Sequence, residues 1–475
     1  MQICNKTTLY ALVLMCGSVV FGATISYSSA TIQYIKIEFG PLSLFEVAAF
    51  QSIPSMVAIF SPFLFNYFLT HYRRKVVSSF LGLIGAIFWG LLLLMNKNYF
   101  WLAILIRGLH GIILAGVSLI CPMYIIELSP DDSHGFFGTL NTIAISIGHV
   151  IYNLLGVTHN WKYPIYMTIG FLLIYGSFIW LIPDSPSDIK IQQHNQKLKL
   201  PVKDNKKEQT NQLNVVNKNA EESQEELNNL YDDDNIDSKI RAINKHDQNN
   251  VKELNLRAES IFQRKFLKPI LLSIGMMCFL QLSGIGAIIT NVAPLMSEAG
   301  LSFDPGFQAA IATSAQLFAC LASSLIMDRF GRRKMWIFSS FGSAASLLVY
   351  ALNIKLDWSK WLPMASLFSY LLFFGLGMAS LPWFLVPEMF PDSVRSVGMT
   401  IATADNWLSA SIATFLFPYI KKWLGQFGLM LILMGICTLC GIFGIAFVKD
   451  SIIWKEENEP NIEANLINDQ DALDI

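Results

Sequence analysis

Glu127-Leu128-Ser129-Pro130-Asp131-Asp132-Ser133-His134 recurs in the second half of the chain as Glu388-Met389-Phe390-Pro391-Asp392-Ser393-Val394-Arg395. Glu, Pro and Asp return in register, with His134 standing where the second copy has Arg395. Each copy closes a long apolar run. Each is also preceded, at nearly equal spacing, by an arginine pair: Arg73-Arg74 in the first half and Arg332-Arg333 in the second. A duplication of loops as well as hydrophobic runs predicts a protein built twice from one plan. Duplicated halves of this kind are a membrane-transporter architecture, with substrate bound near the midplane where the repeats meet.

The surrounding composition agrees. Of 475 residues, 53% are hydrophobic and 15% charged, against about 25% charged in an ordinary soluble domain. That excludes a soluble multidomain enzyme. The net charge of −1 excludes a nucleic-acid binder, which needs a clustered basic surface. A membrane crossing takes about 20 apolar residues. Such runs occur at 9–33, 44–68, 76–95, 99–126, 136–157 and 162–182, then at 267–292, 307–327, 335–353, 362–387, 398–420 and 427–448. The first run follows Lys6 as a secretory signal would, but it is too long and leads directly into further spans.

The sequence thus predicts an all-α membrane protein of twelve spans. Its parts are an N-terminal six-helix bundle over 1–183, a linker over 184–262, a C-terminal six-helix bundle over 263–448 and a tail over 449–475. The linker holds 12 Lys and Arg with 15 Asp and Glu, too polar to bury a core, and is expected to be largely disordered. Within it, 250–266 could form a short amphipathic helix. The tail is acidic. Clustered Lys and Arg mark cytoplasmic loops, which puts both arginine loops, the linker and both termini on the cytoplasmic side. Linker and tail are therefore candidate docking segments for cytoplasmic partners. Cys437-x-x-Cys440 lies in an apolar helix without His or acid nearby and reads as packing rather than metal or redox chemistry. No cofactor, metal constellation or P-loop is expected.

Carboxylates at helix ends facing arginines can form charge-assisted pairs that lock one end of a carrier. Arg73, Arg74, Glu127, Asp328, Arg332, Arg333, Glu388 and Arg395 are the candidates for a cytoplasmic latch between the halves.

These residues resemble the major facilitator superfamily and, within it, the sugar porter family. Asp328-Arg329-Phe330-Gly331-Arg332-Arg333-Lys334 matches the superfamily loop motif D-R-x-G-R-R-K. Pro122-Met123-Tyr124-Ile125-Ile126-Glu127 resembles P-x-Y-x-x-E, and Pro183-Asp184-Ser185-Pro186 resembles P-E-S-P. Gln281-Leu282-Ser283-Gly284-Ile285, Pro382-Trp383-Phe384 with Glu388, and Asn406-Trp407 resemble the motifs of spans 7, 10 and 11. The facilitated trehalose transporter branch, and glucose-transporter-like proteins more broadly, are the nearest likeness, with Thr142 where glucose carriers have Gln. The pattern departs at Leu69 and Tyr72 in the first arginine loop, and at Leu280, Gly286 and Gly375 in the expected sugar site.

The resemblance implies the major facilitator fold and alternating-access transport of a small sugar, trehalose or hexose, by facilitated diffusion at the plasma membrane. The protein is then no enzyme; its partners are a small-molecule substrate and the lipid bilayer, with no nucleic acid. It further implies Gln281, Trp383, Asn406 and Trp407 as substrate-binding residues, with Gln316 where the family usually has Asn. Amides, an aromatic face and an apolar surround are what a sugar pocket needs. Two charges fall inside spans. Arg107 sits where the family also carries Arg. Asp405 is a candidate coupling residue, because an intramembrane acid marks function by default. Two other readings remain open: a non-transporting sugar sensor on the same fold, and a carrier of another, charged organic solute with proton coupling through Asp405. Trp161 and Trp454 are expected in interfacial belts.

Overall fold

The computed structural model describes residues 5–129, 134–185, 263–390 and 392–448, which are almost entirely helical. The first half comprises α1 (Asn5–Phe39), α2 (Leu44–Ala58), α3 (Ser61–His71), α4 (Arg74–Leu91), α5 (Phe100–Leu128), α6 (His134–Gly156) and α7 (Tyr163–Phe178). The second comprises α8 (Arg264–Leu282), α9 (Ile285–Ile289), α10 (Val292–Ala299), α11 (Pro305–Phe330), α12 (Arg332–Leu356), α13 (Leu362–Leu376), α14 (Leu381–Glu388) and α15 (Asp392–Phe447). The expected helix at 250–266 lies outside the described residues but for its last positions, and the 184–262 linker past Ser185, the tail and Trp454 lie outside them.

Among the described residues, nine stretches are long and apolar enough to cross a membrane. One of them, Val397–Phe447, holds two crossings, because Gly425 (φ 69°, ψ 175°) breaks the helix midway. With α6 (23 residues) and α11 (26 residues) the count reaches the twelve expected. Several crossings are discontinuous. α2 passes into α3 at Phe60, with Pro62 in the first turn of α3. The seventh crossing breaks at Gly284, whose φ of 96° is the left-handed region that glycine adopts without strain, and continues through α9 and α10. Broken helices of this kind surround the midplane site of many carriers.

Lipid tails are as apolar as leucine, so close backbone approach, rather than the hydrophobic effect, holds such helices together. α1 crosses α6 at Gly22 and Gly148, where any added Cβ would overlap the carbonyls of Ile145 and Val19. The two halves meet along two seams, α6 against α11 and α2 against α15.

The core of the first half surrounds a charge. The Arg107 guanidinium lies 5.3 Å from the ring centres of Tyr27 and Phe50 and 5.9 Å from that of Trp89. It donates to the carbonyl of Thr24 at 3.0 Å, and its other terminal nitrogen sits 3.4 Å from Nδ1 of His110. His110 stacks on Trp89 at 4.1 Å and gives its Nε2 proton to the carbonyl of Phe88 at 3.1 Å. Among the described residues no carboxylate pairs with Arg107. Cation–π contacts and a carbonyl balance the charge instead.

One expectation is corrected here. Trp161 belongs to no exposed belt: it is 2% exposed, and its Nε1 donates to a carboxylate oxygen of Glu38 at 2.5 Å. An indole beside a carboxylate in the last turn of α1 gains a charge-assisted bond by turning inward. Cys437 and Cys440 are buried and free; Ser340 donates to the Cys440 sulfur at 3.2 Å.

Candidate functional site

The left-handed Gly284 ends α8 one turn after Gln281, and α15 passes beside that end. There Nε2 of Gln281 donates to Oδ1 of Asn406 at 3.0 Å. Asn406 is 2% exposed. Gly286, one of the departures from the resembling motif, stands next to this pair; a Cβ there would lie 3.4 Å from Oε1 of Gln281. The small residue leaves room beside the amide where the motif has a larger one.

Trp407, the next residue on α15, is turned away from Gln281 and into the first half. It packs with Ala58, Leu114 and Ala115, and its ring lies 5.8 Å from that of Phe21. Its Nε1 is buried without a hydrogen-bond partner, as is Oδ2 of Asp405. Gln316 is brought not to the Gln281 pair but to the α6–α11 seam, where its Oε1 lies 3.3 Å from Nδ1 of His149. Trp383, on α14, is 38% exposed, and no hydrogen bond or ring contact joins it to the other four among the described residues. The five expected residues therefore divide into one bonded pair, one tryptophan wedged between halves, one seam residue and one outlying indole.

His149 escaped the sequence reading. A histidine inside an apolar span was the available signal, since intramembrane ionisable groups are rare and face the bundle interior. Gln51 and Asn291 escaped too. Nε2 of Gln51, on α2, donates to Oδ1 of Asn291 at 2.8 Å. Beside them Ser29 accepts from the backbone N–H of Ala293 at 3.0 Å and donates to Oδ1 of Asn153 at 3.0 Å. Farther out, His159 Nε2 lies 3.4 Å from Asp304 Oδ2. All of these pairs except Ser29–Asn153 join the two halves, at mid-depth or at the end away from the arginine loops.

At the arginine end the pairing differs from the expected latch. Arg74 meets Glu127 at 2.7 Å, and Arg332 meets Glu388. Arg73 and Lys75 face Asp184 at 3.7 and 3.1 Å. Arg395 donates to the carbonyls of Pro387 and Phe390 at 3.0 and 3.3 Å, and Arg333 to that of Ile445. Every one of these contacts closes within a half. The reason is geometric: α4 begins beside the end of α5 in one bundle, and α12 beside the end of α14 in the other. Asp184 supplies the first half with an acid that Leu69 does not. The side chain of Asp328 lies outside the described residues.

The whole span from residue 10 to 453 matches a family model described as sugar (and other) transporter. The sugar transporter ERD6-like 8 of Arabidopsis thaliana is 25% identical to this chain, over 93% of this chain and 90% of its own length. The facilitated trehalose transporter Tret1 of Aedes aegypti is also 25% identical, over 72% of this chain; that alignment spans only 40% of the mosquito protein. Among solved structures, the xylose transporter XylE of E. coli, in a partially occluded inward-open conformation, superposes with a TM-score of 0.68 at 16% identity. The superposition covers 94% of this chain and 98% of that one. At that identity the likeness speaks for the fold.

Proposed function

The chain belongs to the sugar (and other) transporter family, and on that premise we propose that it moves a small sugar, of the trehalose or hexose class, by facilitated alternating access. The observation that carries this is the Gln281–Asn406 pair. A half-buried carboxamide, Gln281, meets the buried Asn406 across α8 and α15 beside a helix break, with the buried, unpaired Nε1 of Trp407 and Oδ2 of Asp405 on the same stretch of α15. A buried polar atom without a partner costs about 1–3 kcal/mol, and a polyhydroxylated ligand can offset that cost in part.

On this reading Gln281 and Asn406 hold sugar hydroxyls, Trp407 offers an N–H from between the halves, and Trp383 meets the sugar only when α14 moves inward. Gln316 acts from the seam. The intra-half pairs Arg74–Glu127 and Arg332–Glu388 stiffen each bundle so that it rocks as one body, with Arg73, Arg333 and Arg395 bracing the same end.

The basic end faces the cytoplasm of a plasma-membrane protein, with both termini inside; 184–262 joins the bundles and 449–475 forms the tail, both open to cytoplasmic partners. Uncoupled transport is supported by the surroundings of Arg107: its partners are rings, a carbonyl and an imidazole, so among the described residues the first half places no carboxylate there to exchange a proton with.

The test is uptake of labelled trehalose, glucose and an organic cation into proteoliposomes, with and without Asn406→Ala. Saturable sugar uptake that the substitution weakens about tenfold in KM supports the proposal. Binding without flux would point to a sensor, and flux of the cation alone would overturn the sugar assignment.

A further inference from the structure

α12 begins at the basic end of the second half, and its third residue is Lys334. Lys334, Ile337, Phe338, Phe341 and Gly342 follow at the three-and-four spacing that sets side chains on one face of a helix. With Phe373, near the end of α13, they line a groove of about 510 Å³. Trp336, Ser340 and Ser343, on the opposite face of the same turns, are buried, whereas Phe338 and Phe341 are exposed. The groove therefore opens away from the bundle core, toward lipid.

Its shape comes from a missing side chain. At Gly342 an added Cβ would overlap the ring of Phe373, and that ring meets Phe338 edge-on at 5.4 Å. On the other flank Phe341 leans on Gly441 and Ile337 on Gly444, both of α15. The result is a trough along α12, walled by rings and an aliphatic side chain and roughly 12 Å long by helix rise.

Lys334 is the one charged residue lining it. Of the three successive cations that open α12, Arg332 is met by Glu388 and Arg333 donates to the carbonyl of Ile445. Lys334 is exposed and has no ion pair among the described residues. The first turn of α12 holds no acid and its N-cap, Gly331, supplies no side chain, so the positive end of the helix adds to the field. A lipid chain gains little by leaving the bilayer for this trough, because lipid tails are as apolar as its walls. Selection among lipids then falls on the headgroup. A basic residue at the membrane surface favours an anionic one by about 1 kcal/mol.

We propose that the groove binds one anionic phospholipid from the leaflet at the basic end, with an acyl chain in the trough and the headgroup on Lys334. The assignment is independent of which solute the carrier moves.

The experiment is native mass spectrometry of the purified full-length chain, titrated with dioleoyl phosphatidylglycerol or dioleoyl phosphatidylcholine. The two share their chains and differ in net charge. Wild type should retain one phosphatidylglycerol about fivefold more tightly than phosphatidylcholine. Lys334→Gln should bring the two within about twofold, while Lys334→Arg keeps the preference. Lys360→Gln, which removes an exposed lysine at the opposite end, should keep it as well. Glycerophosphoglycerol, the same headgroup without chains, should not displace the lipid. Equal affinity for both lipids in wild type, an undiminished preference in Lys334→Gln, or an equal loss in Lys360→Gln would overturn the proposal. Displacement by glycerophosphoglycerol would also overturn it, by showing an anion site that makes no use of the trough. Dimers that exclude lipid would do the same, by showing the groove covered by a second copy.

Discussion

Gln51 and Asn291 are both buried, belong to different halves, and share a 2.8 Å hydrogen bond from Nε2 to Oδ1. Asn291 sits in the bend between α9 and α10, so the bond ties the broken seventh crossing of one half to α2 of the other. Ser29–Ala293 and His159–Asp304 lie on the same side of the molecule. The described polar bridges between halves gather toward one end, while the described ion pairs at the other end stay within halves. A carrier arranged this way has its non-basic end closed.

Gln51→Leu removes the donor and leaves Asn291 Oδ1 to water or to nothing. The substitution should favour the conformation open at that end by about 1 kcal/mol, roughly fivefold in population. Spin labels at Asn96 and Asp357, both exposed at that end, report it as a larger long-distance fraction. An unchanged distance distribution would show that the bond does not hold the halves.

The two arginine–glutamate pairs should not be equivalent. The Arg74 side chain is 8% exposed and that of Arg332 28%. Removing the acid from a buried cation costs more than removing it from a solvated one. Glu127→Gln should lower stability by about 1–3 kcal/mol, and Glu388→Gln by under about 1 kcal/mol. Thermal unfolding in one detergent ranks them, and the reverse order would refute the argument.

Asp405 is the second half's candidate for a proton carrier. If transport is uncoupled, sugar uptake runs at the same rate with and without an inward proton gradient, and Asp405→Asn keeps that indifference. Gradient-driven accumulation in wild type that Asp405→Asn abolishes would instead make Asp405 the coupling residue.

The α1–α6 crossing should be intolerant of side chains. Gly148→Val sets a Cβ against the Val19 carbonyl and should cost at least about 1–3 kcal/mol, the scale of overpacking. Gly170→Ala, where nothing lies within 4 Å, should stay within about 0.5 kcal/mol. Melting temperatures of the two variants settle the contrast.

The spans were legible because hydrophobic length is a one-dimensional property, and the repeated Glu, Pro and Asp gave the duplication. The Gln281–Asn406 pair could be nominated from motif likeness, but their meeting depends on where Gly284 ends α8, and no spacing rule encodes that. Trp161 was misplaced because belt statistics describe an average tryptophan, while this one has Glu38 within reach. The partners described at the arginine end were not legible for a similar reason. Charge complementarity says which residues can pair, and only the packing of α4 beside α5 and of α12 beside α14 says which do. His149 went unnoticed because one imidazole scarcely alters the hydropathy of an apolar helix.

Arg107 has an electrical consequence. Arginine stays protonated in proteins, so this guanidinium carries a full charge inside the bilayer, and its ring-and-carbonyl cage contributes no opposite one. A unit charge that crosses the whole membrane exchanges about 2.3 kcal/mol for every 100 mV of potential. If the first bundle shifts Arg107 through even a tenth of that field, each turnover is biased by about 0.2 kcal/mol per 100 mV. A carrier of a neutral solute would then still respond weakly to membrane voltage, through its own scaffold and not through its cargo.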